Sequence, residues 1–218
     1  LASFGGAALG AGGGVGLAPM FPQMKAHHDA GNRLISILGA RDVSLLFWQG
    51  KVEAISDRTI VTTDNGSVGR KGYAAQVLDE LIGGGEKIDE VIAIGPVPHM
   101  KAVTECCKRH GVPVVVSLNP IMVDGTGMCG GCRVSIGGEA KYACVDGPEF
   151  DGAQVDFDEM IMRQRTYKPM EIQANENFIS SPKHDGHICR FEQRIKEMVA
   201  AHESRKSKHH SRYFEEST

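Results

Sequence analysis

The first half of the chain alternates short apolar runs with longer amphipathic stretches. The apolar runs predict five strands, at residues 7–11, 33–38, 59–63, 91–94 and 112–117. The stretches between them predict helices, at residues 17–30, 43–54, 73–82 and 99–109. Apolar strands that alternate with helices are typical of a parallel sheet covered on both faces and joined by right-handed crossovers. We therefore predict an α/β fold built on a doubly wound parallel sheet.

The pattern changes after residue 118. Residues 119–152 lack a strong period and are rich in Gly and Cys, which predicts a small loop-built module. Helical spacing returns at residues 155–167, and we expect that helix to pack back on the module. From Lys168 onward the chain is polar, with a helix predicted at residues 193–201 in an otherwise mobile or partner-held tail. The predicted domains are 1–118, 119–152 and 153–218.

Charge and composition exclude some classes of partner. The formal net charge of −3 gives no electrostatic reason to expect nucleic acid or an anionic membrane. The uncharged start argues against a membrane span, because seven glycines interrupt residues 5–16. Leu1 is not a start methionine, so we read the sequence as a fragment or a processed product.

The six cysteines fall into different settings. Cys106 and Cys107 are adjacent within a helical pattern, which suits reduced, buried thiols in a cytoplasmic protein. Cys129, Cys132 and Cys144 lie within 16 residues among glycines. That spacing is typical of a metal centre.

A glycine-rich loop, GAGGGVGLAP, joins the first predicted strand to the first predicted helix. Glycines at this place let backbone N–H groups approach a pyrophosphate at a helix N-terminus. Ligands of open α/β sheets lie at the carboxyl ends of strands, which favours a nucleotide site over a simple tight turn. The expected contacts are Gly12, Gly13, Gly14, Val15, Gly16, Ala18 and Pro19.

The residues after the next strands bear on the choice of nucleotide. Asp64 would accept hydrogen bonds from ribose hydroxyls and repel a 2′-phosphate, which favours NAD(H). Arg41, Arg70 and Lys71 lie in neighbouring loops and keep NADP(H) open as the alternative. Phe47 and Trp48 are expected to pack within the protein rather than stack on a cofactor.

The densest chemistry lies in the glycine-rich module. Its cysteines match the ferredoxin order C-x4-C-x2-C…C if a ligand stands five residues before Cys129, and that position is Asp124. A carboxylate can replace a thiolate on one iron, and its harder oxygen should alter the reduction potential. The predicted iron ligands are Asp124, Cys129, Cys132 and Cys144.

Zinc is the alternative occupant of this module, because a C-x2-C pair is also a zinc-binding pattern. No histidine lies between residues 111 and 183 to complete a common zinc set. His184, His187 or Cys189 could complete one from the tail. The residues favour iron–sulfur over zinc and leave zinc open.

Two segments of the first domain resemble the nicotinamide domain of the ferredoxin-reductase superfamily. One is the glycine-rich turn that ends in Ala18–Pro19. The other, Gly95-Pro-Val-Pro-His-Met100, resembles the Cys-Gly-x-x-x-Met segment of that superfamily beside the nicotinamide, with Ile94 where many relatives have the cysteine. The resemblance implies that Gly95, Pro96 and Met100 contact the nucleotide.

The module itself resembles a more specific family. Residues 119–133 (NPIMVDGTGMCGGCR) and 142–152 (YACVDGPEFDG) are similar to the small subunit of NADH-dependent reduced ferredoxin:NADP oxidoreductase and of sulfide dehydrogenase. They are more distantly similar to the electron-transfer subunit of dihydroorotate dehydrogenase, which has cysteine where Asp124 stands. The resemblance covers about residues 5–167, and it implies a [2Fe–2S] cluster held by three cysteines and Asp124.

This resemblance implies an electron-transfer subunit of a flavin-dependent NAD(P)H oxidoreductase. Family members begin with a flavin-binding β-barrel, so FAD is expected to be bound mainly by another chain or by the missing front of this one. The implied partner is a larger subunit with its own flavin and [4Fe–4S] clusters, and the implied chemistry extends to electron bifurcation. A non-catalytic docking subunit and a zinc-stabilised nucleotide-binding regulator stay open as alternatives.

Overall fold

A computed structural model describes residues 5–180 of the chain and contains nine strands in that range. The strands are β1 Ala7–Gly13, β2 Arg33–Ala40, β3 Arg58–Thr63, β4 Arg70–Lys71, β5 Glu90–Ile94, β6 Val114–Ser117, β7 Arg133–Ile136, β8 Glu139–Tyr142 and β9 Glu149–Asp151. The helices are α1 Leu17–Asp29, α2 Gln49–Glu53, α3 Ala74–Gly83, α4 Val97–His110, α5 Ala143–Asp146, α6 Phe157–Arg165 and α7 Lys168–Ile179.

Seven of the strands form one sheet in the order β4-β3-β2-β1-β5-β6-β9. Its neighbours are parallel except for β9, which runs antiparallel to β6. The chain moves outward from β1 in one direction to β4 and then returns to the other side of β1 at β5. The strand order therefore reverses between β1 and β5, and the predicted doubly wound parallel sheet is confirmed.

The central strands of the sheet are buried on both faces, as strands of parallel sheets usually are. Ile35 and Ile37 of β2 point into a core with helices α3, α4 and α6. Leu34 and Leu38 of the same strand point into a second core, which Met20 and Met24 of α1 complete. The continuous apolar runs that predicted the strands follow from this double burial.

The helix predicted between the second and third strands is interrupted in the structure. Residues 43–54 were expected to form an irregular helix, but the structure has a short 3₁₀ turn at Val43–Leu45 and then α2. Trp48 separates them, with a left-handed backbone at φ 56°. A non-glycine residue in this conformation is uncommon. Here it interrupts the predicted helix, so that the 3₁₀ turn ends before Trp48 and α2 begins after it.

The module after β6 contains more regular structure than its sequence predicted. Strands β7 and β8 form an antiparallel hairpin joined by Gly137 and Gly138, both with positive φ. A Gly-Gly pair between two short runs is a hairpin signal, so this element was within reach of the sequence. Helix α6 packs on the hairpin, where the Asp156 N–H donates to the Ser135 carbonyl at 3.0 Å.

The described residues divide into two compact units, one up to Thr166 and one from Tyr167. The second begins with α7, a helix that was not predicted in the polar segment after Lys168. Pro169 stands in its first turn, where a missing N–H costs no helical bond. The helix predicted at residues 193–201 lies outside the described residues. Within residues 5–180, no helix is long and apolar enough to cross a membrane.

Candidate nucleotide cleft and iron–sulfur loop

A cleft of about 990 Å³ opens at the carboxyl ends of β1, β2, β3 and β5. It lies where the strand order reverses, which is the usual ligand position in open α/β sheets. Its lining is mostly apolar, with charged side chains from Arg41 and Asp64 among the described residues. Predicted contacts that line it are Gly13, Gly14, Val15, Arg41, Asp64 and Pro96.

The other predicted contacts lie around the cleft rather than in its lining. Gly12 is the penultimate residue of β1, and Ala18 and Pro19 stand in the first turn of α1. The expected contact of Met100 is corrected by the structure, because this side chain is fully buried in the core under α4. Met100 therefore supports the helix and has no surface in the cleft.

Two glycines allow the loops after β1 and β5 to meet. A Cβ atom at Gly16 would lie 2.3 Å from the Ile94 carbonyl oxygen, and one at Gly95 would lie 3.0 Å from the Gly13 Cα atom. Real Cβ atoms do not come as close to backbone as the distance at Gly16 and seldom as close as the distance at Gly95, so larger residues would push these loops apart. Gly14 differs, since its φ is +54° and open space surrounds it on the cleft side of the loop.

His99 connects these loops to α4. Its Nε2 atom lies 3.0 Å from the carbonyl oxygen of Ala11 in β1. A carbonyl only accepts hydrogen bonds, so Nε2 carries the hydrogen that is donated. Burial lowers the pKa of His99, against the opposing effect of this bond. The sequence reasoning named His99 only within a longer segment and missed this contact.

One wall of the cleft is apolar and was not predicted. Leu45, Leu46, Phe47 and Tyr73 contribute to it. Phe47 lines the cleft, whereas Trp48 packs edge-on against Phe47 at 5.6 Å and holds the Lys51 ammonium 4.3 Å from its ring centroid. An apolar wall with an aromatic side chain suits an aromatic base.

The charged groups at the cleft rim come from two loops that are hydrogen-bonded together. The Asp64 N–H donates to the Ala40 carbonyl at 3.1 Å, next to Arg41. Arg70 instead forms an ion pair with Glu80 outside the cleft lining. Of the three cations that kept NADP(H) open, Arg41 is the one that lines the cleft.

Three of the predicted iron ligands, Asp124, Cys129 and Cys132, lie on the loop of residues 118–132 between β6 and β7, here called the thiol loop. The fourth, Cys144, lies in the short helix α5 after β8. Cys132 and Cys144 are brought together, with their sulfur atoms 3.2 Å apart. Cys132 is buried and Cys129 is exposed. The pKa of the Cys144 thiol is raised, chiefly by its hydrogen bond with the thiol of Cys132.

Asp124 lies beside Cys129. Its Oδ1 accepts a hydrogen bond from the Thr126 N–H at 2.9 Å, and its Oδ2 accepts one from the Cys129 N–H at 3.1 Å. These donors, Thr126 first, hold the pKa of Asp124 below its usual value. Each carboxylate oxygen keeps a second lone pair, so these bonds leave room for a metal contact.

Glycines shape this loop and expose its N–H groups. Gly125, Gly127 and Gly130 have positive φ, which lets the chain turn tightly around the thiols. The Gly131 N–H already donates to the Cys129 sulfur at 3.4 Å. Thiols, an ionised carboxylate and backbone N–H donors aimed at sulfur fit the donor set of an iron–sulfur cluster.

Apolar side chains surround the exposed part of this loop. Val123 is 78% exposed and Met128 is 86% exposed, and Val145 beside Cys144 is also exposed. Large apolar groups concentrated at one place on a surface often mark an interaction site.

The fold and this loop define a ferredoxin-reductase-like chain with an iron–sulfur binding domain. Residues 119–156 match the iron–sulfur cluster binding domain of dihydroorotate dehydrogenase B. The chain is 46% identical over 170 residues to the "dihydroorotate dehydrogenase B (NAD(+)), electron transfer subunit homolog" of Thermotoga maritima, covering 78% of this chain and 60% of the relative. An uncharacterised Clostridium beijerinckii protein is 50% identical over 163 residues, or 74% of this chain and 55% of that protein.

A solved structure gives the same result. A chain in the structure of NADH-dependent reduced ferredoxin–NADP oxidoreductase, described in connection with flavin-based electron bifurcation, aligns with a TM-score of 0.73 and 46% identity. The alignment covers 82% of this chain and 64% of that one. The chain is therefore similar in sequence and in fold to electron-transfer subunits of the dihydroorotate dehydrogenase B type, and the predicted resemblance is confirmed. It spans 55% and 60% of the two curated relatives.

Proposed function

We propose that this chain is an electron-transfer subunit that binds NAD(H) in the cleft and a [2Fe–2S] cluster on the loop after β6. One structural observation carries the proposal. The cleft lies at the carboxyl ends of β1 and β5, and the neighbouring strand β6 ends at Ser117 on the same sheet edge and leads into the thiol loop. The proposed nucleotide site and the proposed metal-binding loop therefore lie at the same edge of one sheet.

The cleft residues have complementary roles toward a dinucleotide. The backbone of Gly13, Gly14 and Val15 would meet the pyrophosphate at the start of α1. Phe47 offers an apolar face to a base. Asp64 would accept hydrogen bonds from ribose hydroxyls, and with Arg41 beside it NADP(H) is the alternative ligand.

The thiol loop and α5 together offer the four ligands in two pairs. Cys132 and Cys144 have touching sulfur atoms, and Asp124 lies against the backbone of Cys129. Two irons that each take two protein ligands match this arrangement. The cluster, when bound, supplies one-electron transfer. The chain's own residues set its environment through the carboxylate of Asp124 and the N–H donor of Gly131.

The remaining components are proposed from the relatives. FAD would exchange a hydride with the nicotinamide and single electrons with the cluster, and it would be bound mainly by residues outside this chain. A larger flavin and [4Fe–4S] subunit would receive the electrons, and electron bifurcation belongs to this proposal. Residues 1–118, 119–152 and 153–218 would serve as nucleotide domain, cluster module and tail.

The test is anaerobic purification of the full chain with iron, sulfide, zinc and flavin quantified beside a visible spectrum. About two irons and two sulfides per chain would support the cluster, and an NADH titration of the same sample would test the cleft. NADH binding without flavin and without turnover, even after addition of FAD, would favour the docking subunit. Stoichiometric zinc in a colourless protein would overturn the redox function.

A further inference from the structure

Three side chains with metal-binding atoms meet between α3 and α4, outside both sites described above. Asp79 lies on α3, and Cys106 and His110 lie on α4. The Asp79 Oδ1 atom is 2.9 Å from His110 Nε2 and 3.5 Å from Cys106 Sγ. One ligand atom of each residue lies within 4.8 Å of the others.

The sequence creates this meeting by helical spacing. Cys106 and His110 are four residues apart, so they share one face of α4. That face packs on α3, where Asp79 follows the buried Leu78. Cys106 is fully buried, while the side chains of His110 and Asp79 are 26% and 47% exposed. The cluster is therefore anchored in the core and open to ions on its outer side.

A carboxylate, an imidazole and a thiolate form a donor set typical of zinc. Three protein ligands leave a fourth tetrahedral position for water. With zinc–ligand bonds of about 2.0–2.3 Å, the ligand atoms of a tetrahedral site are about 3.3–3.8 Å apart. The separations from Asp79 already approach these values.

The carboxylate of Asp79 is currently balanced by a cationic side chain. Arg109 Nη2 lies 2.8 Å from the same Oδ1 atom. The Arg109 guanidinium and then His110 hold the pKa of Asp79 at about 2. The Arg109 side chain is 60% exposed, so it can rotate into solvent when another cation binds to Asp79. Arg109 is a competitor for the position rather than a permanent part of it.

A metal ion that binds at this cluster must displace the proton of the Cys106 thiol. Burial, reinforced by Asp79, raises the pKa of this thiol to about 11, so it is protonated near neutral pH. A divalent cation that binds there displaces this proton to solvent as the sulfur becomes a thiolate ligand. The neighbouring Cys107 is buried too, but it has no place in this donor set.

We propose that Asp79, Cys106 and His110 form a binding site for a zinc-class divalent cation that ties α3 to α4. Both helices begin at the cleft, where Ala74 and Pro98 belong to the lining. An ion bound here would fix two elements that frame the cleft. The proposal does not depend on the proposed function, since it concerns residues of neither site.

The experiment uses the full chain, purified anaerobically, with iron content measured in every sample. Wild-type protein and the variants Asp79→Asn, Cys106→Ser and His110→Ala are dialysed against buffered Zn²⁺, and bound zinc is counted per chain. Zinc held by other cysteines or histidines is common to all samples and cancels in the comparison. Each variant should hold one zinc fewer than wild type, or bind that zinc at least about 10-fold more weakly.

Two further variants keep the test decisive if a ligand variant folds poorly. Cys107→Ser is the matched control, because it removes an adjacent buried thiol and should leave bound zinc unchanged. Arg109→Gln removes the competing cation and should bind this zinc more tightly than wild type. Equal zinc in wild type and all three ligand variants would overturn the site, and so would unchanged or weaker binding in Arg109→Gln.

Discussion

The Nε2 atom of His99 donates a hydrogen bond to the carbonyl oxygen of Ala11 at 3.0 Å, which ties the first turn of α4 to the central strand of the sheet. The imidazole also lies over the end of β1, since a Cβ atom at Gly13, the last residue of that strand, would come within 3.1 Å of the imidazole Cγ atom. This contact holds two sides of the cleft in register, and it gives His99 a positioning role toward a bound nucleotide.

Two substitutions separate this bond from the bulk of the ring. Glutamine can place an amide N–H near the position of His99 Nε2, whereas asparagine is too short to reach Ala11. We expect His99→Asn to weaken NADH binding by about 2- to 10-fold, the effect of one net hydrogen bond. His99→Gln should stay closer to wild type. Fluorescence titration with NADH measures both, and equal affinities in the two variants would contradict the positioning role.

His99 also makes stability depend on pH. Burial lowers its pKa in the folded protein, so between its ordinary value of 6.5 and the lowered value the unfolded chain binds a proton that the folded chain does not. The free energy of unfolding contributed by His99 is therefore present above pH 6.5 and is lost as the pH falls toward the lowered pKa. Urea unfolding at pH 7.5 and at pH 5.5 should show less loss in His99→Gln than in wild type. Identical losses would show that His99 does not carry this dependence.

The sequence predicted the five inner strands of the sheet well, because β1, β2 and β5 at its centre are buried on both faces along most of their length. The edge strands β4 and β9 are largely exposed and were not predicted. Runs such as 33–38 have no polar alternation, and flanking glycines mark their ends. β9 escaped prediction because it has three residues and pairs with a strand more than thirty residues away. The break at Trp48 escaped because its left-handed backbone is set by packing on Phe21 and Phe47, not by its own preference.

Within the candidate sites, the sequence predicted groups of residues that are close together along the chain. It did not predict contacts between segments that are distant along the chain. The intervals between Asp124, Cys129 and Cys132 are enough to predict a metal-binding loop from the sequence. The cleft wall at Phe47 and the Ala11–His99 bond join segments that meet only because of the strand order. Met100 was misplaced for the same reason, since its segment gives no sign of which side faces the core.

A substitution at Gly16 tests why glycine is needed there. The close backbone contact would require glycine for stability, apart from any role of this loop in phosphate binding. A Cβ atom there would lie 2.3 Å from the Ile94 carbonyl oxygen, so Gly16→Ala should lower the free energy of unfolding by about 2 kcal/mol or more. Gly50→Ala is the matched control, because it lies in α2 with open space around it and should be neutral or slightly stabilising. Chemical denaturation compares the two, and a neutral Gly16→Ala would show that the loop can shift.

Removal of one thiol tests the location of the cluster. Cys132→Ala should lose most of the bound iron, because the sulfur of Cys132 is buried and lies against the sulfur of Cys144 in α5. Cys107→Ala should keep its iron, since burial raises the pKa of that thiol to about 12 and it lies in the core under α4. Iron and sulfide analysis after anaerobic purification decides between them. Equal iron content in the two variants would place the cluster elsewhere.

Asp124→Cys tests the role of the carboxylate. The two N–H donors that now point at Asp124 would meet a thiolate instead, and a soft sulfur ligand would replace a hard oxygen on one iron. We expect the variant to retain its iron and to change its reduction potential, as measured by a redox titration followed in the visible spectrum. Asp124→Ala is the control, because it keeps the loop length and removes the ligand, and it should lose iron. If Asp124→Ala keeps its iron and its cluster absorbance, Asp124 is not an iron ligand.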